Sequence, residues 1–243
     1  MPVKSINLPT EEDRTLIIGP TGSGKTYAGL WLLSMMPVDQ MPWIAIDYKG
    51  EEKLHGIPYV QYLRIGDIPS EPGVYIVQPL HTQVTEMEDY LMSIWEHTGI
   101  GLYIDEGAML AKSDALDIIL IQGRSKHIPV IMLTQRPVDI SRYAFSESQF
   151  RMLFPNDDRR EQKTVSEFMP LFRERNSGDD EIPRFHSYYY EVKERQLDRL
   201  APVPKLETIY STFARKLRPD EPERTETESM SPANIKGIRY VSI

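Results

Sequence analysis

Thr15-Leu16-Ile17-Ile18, followed directly by Gly19-Pro20-Thr21-Gly22-Ser23-Gly24-Lys25-Thr26, is the stretch that decides the fold. The apolar run reads as a buried strand, and GPTGSGKT completes the Walker A pattern G-x-x-x-x-G-K-[ST]. The next residues, 27–36, carry apolar side chains at helical spacing and stop at Pro37. Strand, loop and helix is the context in which that pattern binds phosphate. The glycines let successive backbone N–H groups curl around a β-phosphate, Lys25 reaches the β- and γ-phosphates, and the Thr26 hydroxyl is placed to ligate Mg²⁺. The four fixed positions coincide by chance in roughly one unrelated chain in a hundred of this length. A glycine-rich surface turn is therefore the weaker account, and the cofactors implied are ATP and Mg²⁺.

Outward from this loop, short β-branched or aromatic runs alternate with longer helical segments. That alternation predicts an α/β fold, a mostly parallel central sheet flanked by helices on both faces. Strands are expected at 15–18, 43–47, 74–78, 102–105, 130–134, 151–154 and 186–192, and helices at 25–36, 85–97, 114–125, 157–169 and 206–216. Residues 54–72, broken by prolines and glycines, read as an irregular connection, and 176–183 as a polar loop. After Arg218 the chain turns to PDEPERTETESMSPAN, rich in proline and acid. The expected organisation is one motor domain, 1–217, and a flexible acidic tail, 218–243. The last residues, 238–243, read as a short docking peptide or, more simply, a frayed terminus.

The chain has 243 residues, enough for one α/β domain with a small appendage but not for a second enzyme domain. No stretch approaches the roughly 18 apolar residues that span a bilayer, and the N-terminus lacks a signal-peptide run, so a soluble intracellular protein without membrane insertion is expected. The absence of cysteine excludes disulfides, thiol catalysis and thiolate metal sites. A net charge of −8 argues against coating nucleic acid by general basicity, so any DNA contact must be local.

A second chemical signal is Leu102-Tyr103-Ile104-Asp105-Glu106, an apolar strand running into two acids. Beside a phosphate loop, Asp105 can hold Mg²⁺ and Glu106 can polarise the attacking water. A solvated strand end is the alternative, and the complete Walker A favours the functional reading. Glu106 also favours hydrolysis over phosphoryl transfer to a metabolite. The third signal pairs Gln122-Gly123-Arg124-Ser125, ending a helix, with Val130-Ile131-Met132-Leu133-Thr134-Gln135, a strand with a polar end. Gln135 has the position of a γ-phosphate sensor. Arg124, placed on the same edge of the sheet, is either an arginine finger for a neighbouring subunit or a cation favoured by a helix C-terminus.

Together GPTGSGKT, IDYKGE at 46–51, LYIDE and GRSKHIPVIMLTQRP at 123–137 resemble the FtsK–HerA superfamily of DNA-pumping ATPases. The resemblance covers about residues 14–165 and implies a RecA-like (ASCE) P-loop NTPase fold. In FtsK-type motors an arginine precedes a TQRP strand by this spacing and acts on the adjoining subunit's ATP. The resemblance thus implies Arg124 as a trans-acting finger, worth about 10³–10⁵ in rate where it operates. IDYKGE resembles the DPKGE of conjugative coupling ATPases with Tyr48 in place of proline, and Asp47 and Lys49 receive no role. Lacking room for the membrane, winged-helix, barrel or all-α additions of other members, the chain is similar to genome-packaging ATPases of tectivirus-like, membrane-containing icosahedral viruses. That likeness implies a homo-oligomeric ring, expected to be a hexamer, acting on double-stranded DNA without sequence preference. It also implies capsid or packaging-vertex partners and a place in the host cytoplasm or at the virion's packaging vertex.

Three other readings are weighed: a filamentous-phage assembly ATPase of the zonula-occludens-toxin type, a small-molecule nucleotide kinase whose lid would use Arg159-Arg160 or Arg173 and Arg175, and a non-catalytic, ATP-gated scaffold, which the intact catalytic set disfavours. Candidate DNA contacts are Lys126-His127, Arg136, Arg142, Arg159-Arg160 with Lys163, and Arg173 with Arg175; the 159–163 loop is favoured. The Tyr188-Tyr189-Tyr190 run reads as a base-stacking platform or, alternating along a strand, as half core and half surface, the second being preferred.

Overall fold

The computed structural model describes residues 6–169, 182–218 and 240–241. Ten strands form a single sheet in the order β10-β9-β8-β7-β1-β6-β5-β2-β4-β3. These are β1 Arg14–Ile18, β2 Pro42–Ile46, β3 Gln61–Tyr62, β4 Gly73–Val77, β5 Gly101–Ile104, β6 Val130–Thr134, β7 Phe150–Leu153, β8 Ser187–Glu191, β9 Gln196–Leu200 and β10 Tyr240–Val241. From β7 to β3 every pairing is parallel, and β8, β9 and β10 add on antiparallel. The helices are α1 Lys25–Met35, α2 Glu52–His55, α3 Val84–Glu96, α4 Asp114–Gln122, α5 Arg142–Ser146, α6 Arg159–Phe168 and α7 Leu206–Leu217.

Alternation along the strands builds two cores. Leu16 and Ile18 of β1 point into one cluster with Ile44, Ile46, Leu102 and Ile104, which α3 and α4 cover through Met87, Tyr90, Leu91, Ile94, Leu116 and Ile119. Ile17 points the other way, to Trp43, Ala45, Tyr103 and Leu133, where α1 and α7 lie. The buried residues of α3 recur at i, i+3, i+4 and i+7, an amphipathic stripe. α1 is buried from Ala28 to Ser34 because it packs beneath α7 as well as on the sheet. Truncating such fully buried side chains costs about 2–5 kcal/mol each.

The expected strands and helices are present with boundaries shifted by one or two residues, and the parallel α/β architecture holds. The helix expected at 114–125 ends at Gln122 and tightens into a 3-10 turn over Gly123–Lys126. The connection 54–72 takes in the end of α2 and the edge strand β3. β9 was not expected. It forms a hairpin with β8, and Tyr240 and Val241 pair with its Leu200 and Arg199. All three tyrosines of β8 are buried, Tyr188 and Tyr190 in the first core and Tyr189 in the second. This overturns both the stacking-platform reading and the half-surface reading, because helices or loops cover both faces of the strand. Most of loop 176–183, with Arg173 and Arg175, lies outside the described residues, as does most of the tail.

Candidate active site

β1 is the pivot of the site. It is buried throughout, and it ends where Gly19 N–H donates to the Thr134 carbonyl at 3.1 Å and Phe154 N–H donates to the Ile18 carbonyl at 2.8 Å. The loop therefore emerges between the carboxyl ends of β6 and β7, where open parallel sheets hold ligands. Gly22 and Gly24 take φ values of 77° and 103°, a region other residues enter only with strain. Gly24 is also the N-cap of α1, with no side chain capping the helix, so its first N–H groups remain for an anion.

Around this loop a cavity of about 640 Å³ is lined by the polar residues Thr21, Lys25, Thr26, Asp105 and Gln135. Its apolar lining comes from Phe154, Phe185, Pro202, Val203 and Pro204. Lys25 is buried, and burial first, then the neighbouring Lys49 charge, lower its pKa against the opposing pull of Glu106 and Asp105. An anion there would relieve that cost. Asp105, 2% exposed at the end of β5, has its pKa pushed up to about 6 by burial, with Glu51 and Asp47 adding to the rise and Lys49 and Lys25 opposing it. Its Oδ1 has no hydrogen-bond partner. An orphaned, buried carboxylate oxygen in the same cavity as Thr26 supplies hard oxygen donors of the kind that suit Mg²⁺. Among the described residues no group of three His, Cys, Asp or Glu could hold a metal alone, so such an ion would depend on phosphate oxygens for its remaining ligands.

Glu106 is also buried, and its two oxygens are held differently. Oε1 accepts from the Thr134 hydroxyl at 3.0 Å and from Gln135 N–H at 3.2 Å, while Oε2 lies 2.5 Å from Lys49 Nζ. Gln135 in turn accepts from the Thr21 hydroxyl at 2.6 Å, tying the expected sensor to the phosphate loop. The structure thus brings Lys25, Thr26, Asp105, Glu106 and Gln135 together. Thr134, Lys49 and the apolar lining of the cavity were not assigned by sequence. Thr134 sits within the TQRP block and Lys49 within IDYKGE, so those two had a signal.

Arg124 is elsewhere. It is exposed in the turn that precedes β6, and its charge acts on Arg14 at the first residue of β1, which pairs with Val130. β1 alone separates that end from the phosphate loop by roughly 13 Å. The expectation that Arg124 shares the sensor's edge is corrected: a crossover helix returns the chain to the amino ends of parallel strands, so the end of α4 lies opposite the nucleotide site. Lys126, whose ammonium stands 4.5 Å over the Trp95 ring, and His127 belong to that same far end. Arg159, Arg160 and Lys163 are exposed on the first half of α6, a helix rather than a loop, beyond the carboxyl end of β7. Arg136 pairs with Asp139 at 2.8 Å and Arg142 with Glu167 at 3.7 Å.

No protein-family model matches the chain. It is 35% identical over 216 residues to the DNA packaging ATPase P9 of Enterobacteria phage PRD1, covering 86% of this chain and 95% of that protein. The chain belongs to the P9 family of phage DNA-packaging ATPases. Among solved structures, the genome-packaging NTPase B204 of Sulfolobus turreted icosahedral virus 2, determined with sulfate, superposes with a TM-score of 0.66 at 18% identity, covering 81% of this chain and all of that one. The cytoplasmic domain of the type VII secretion ATPase EccC from Thermomonospora curvata gives 0.55 at 17% identity over 87% of this chain and 28% of that one. These likenesses establish the fold of the packaging family as the P-loop architecture described above.

Proposed function

We propose that this member of the packaging family hydrolyses ATP to move double-stranded DNA, without sequence preference, into a preformed capsid, working as a homo-oligomeric ring in the infected host cell during virion assembly. The observation that carries the reading is the convergence of Lys25 and Asp105 on one cavity, with Glu106 bonded to its lining residues Lys49 and Gln135 and with Gln135 bonded to the loop that holds the phosphates. Lys25 and the free N–H groups of α1 bind the β- and γ-phosphates. Thr26 and Asp105 would hold Mg²⁺, which when bound offsets charge on the phosphate oxygens. Glu106 accepts a proton from the attacking water, Thr134 and the Gln135 N–H keep its carboxylate aimed, and the Gln135 amide hydrogen-bonds phosphate oxygen and water. Phe154, Phe185 and Pro202 to Pro204 give the nucleobase an apolar seat.

Arg124 serves the neighbour's site. A groove of about 760 Å³ between Ala108–Lys112 and Arg136–Ile140 adjoins Glu106 and Gln135 and gives an incoming arginine an approach to the γ-phosphate. Exposed Arg159, Arg160 and Lys163 are the favoured DNA contacts. A kinase reading is disfavoured because a carboxylate beside the γ-phosphate promotes loss to water. Among the described residues no helix is long and apolar enough to cross a membrane, whereas assembly ATPases of the zonula-occludens-toxin type normally have such a span. The test is ATP hydrolysis with and without long duplex DNA at low salt. Stimulation by duplexes of unrelated sequence supports the reading, and hydrolysis that responds only to a small-molecule acceptor overturns it.

A further inference from the structure

The segment Ile46-Asp47-Tyr48-Lys49-Gly50-Glu51 lies beside the hydrolytic groups and supplies Glu106 with its shortest contact. Asp47 is 1% exposed and is fixed at the end of β2 by its N–H, which donates to the Val77 carbonyl at 2.9 Å. Its carboxylate then folds the chain around itself. Oδ1 accepts the Lys49 N–H at 3.0 Å, Oδ2 accepts the Glu51 N–H at 2.9 Å, and Gly50 takes the positive φ of 68° that this tight turn requires. From outside, His55 Nε2 lies 3.0 Å from Asp47 Oδ2 while its Nδ1 lies 2.8 Å from the Tyr62 hydroxyl. The turn is thereby braced by β2, α2 and β3, and its product is the direction of one side chain. Lys49 is aimed at Glu106.

Lys49 has two possible anionic partners within reach of one flexible stem. Its ammonium lines the nucleotide cavity with Lys25, and it also borders the groove on the far side of Glu106. Because Glu106 Oε1 is occupied by Thr134 and Gln135, the Lys49 ion pair engages the remaining oxygen of the group that would take the proton. An oxygen so paired is blocked from the attacking water. A terminal phosphate bearing two charges competes for the same ammonium, and a diphosphate, ending one group earlier, does not.

We propose that Lys49 couples the general base to the terminal phosphate: its ammonium is shared between Glu106 and the γ-phosphate, so a bound triphosphate draws it off Glu106 and frees the carboxylate for water. The inference rests on the reading of the Lys25–Glu106 site given above. It assigns a role to Asp47 as the residue that positions Lys49.

The test is a double-variant cycle read as equilibrium affinity for a non-hydrolysable ATP analogue and for ADP, using the full chain. Glu106→Gln removes the competing carboxylate and should tighten the triphosphate analogue by roughly tenfold, the scale of one charge-assisted hydrogen bond, with ADP unchanged. Lys49→Met should weaken the analogue by about the same factor, again sparing ADP, and in that background Glu106→Gln should bring no tightening. Lys49→Arg should preserve the coupling. Additive effects of the two substitutions, or equal losses for ADP and the analogue, would overturn the proposal. Lys25→Ala separates the two levels: if it weakens both nucleotides while Lys49 and Glu106 show no coupling, only the Lys49 proposal fails. If Lys25→Ala binds both as the wild type does, the site reading fails with it.

Discussion

Replacing Asp105 by asparagine should stabilise the metal-free, nucleotide-free protein while abolishing its turnover. The carboxyl's pKa is raised from an ordinary 3.8 to about 6, chiefly by burial. A rise of about two units corresponds to a penalty on the order of 3 kcal/mol for holding the charge in the folded state. The sign follows from the direction: well below pH 3.8 the group is neutral whether folded or unfolded and imposes no cost. As pH rises toward 6 the unfolded chain ionises first, and above the folded-state pKa the full penalty is present. Asp105→Asn, nearly the same size, carries no charge at any pH. Urea unfolding in the presence of a chelator should therefore show variant and wild type within about 0.5 kcal/mol near pH 4 and separated by about 3 kcal/mol at pH 8. At roughly 2–4 °C per kcal/mol the melting points should differ by about 6–12 °C there. A separation independent of pH, or a variant less stable than wild type at pH 8, would refute the claim that Asp105 is held ionised against its surroundings for a cation to use.

Phe185→Ala removes an aromatic ring from the lining of the cavity and should raise the KM for ATP roughly three- to tenfold with little change in kcat, measured by steady-state hydrolysis. A fall in kcat alone would remove Phe185 from base binding. Mixing Arg124→Ala with Lys25→Ala subunits should restore part of the lost ATPase activity, because one supplies the finger and the other an intact phosphate loop; no rescue in demonstrably mixed rings would end the trans-acting assignment. DNA stimulation should fade as salt rises from 50 to 200 mM, since phosphate contacts release counterions, and an insensitive response would argue against basic side chains tracking the backbone.

Features written in local patterns were legible in the sequence. The phosphate loop, the strand that precedes it, Asp105 with Glu106, and Gln135 are each a short run whose spacing dictates its conformation, and parallel strands gather their carboxyl ends at one edge. What escaped depends on contacts between distant segments. Lys49 meets Glu106 across 57 positions, and Phe185 and Pro202 reach the phosphate loop only through the antiparallel β8–β9 hairpin. β9 has buried Leu197 and Leu200 among charged residues, too weak an alternation to announce a strand. Arg151, on a central strand, donates from its two Nη groups to the carbonyls of Phe168 and Phe145, partners no spacing rule names. The position of Arg124 was readable in principle, since a helix between parallel strands must run back to their amino ends.

The most direct test of the central claim is nuclease-protected DNA. Empty capsids of the parent virus, duplex DNA and ATP, incubated with wild-type protein, should yield genome-length DNA that resists nuclease digestion, and the Glu106→Gln protein should bind ATP yet protect none. Protection equal with the two proteins, or none with a wild type that hydrolyses ATP, would contradict the account of this chain as the hydrolysis-driven packaging motor.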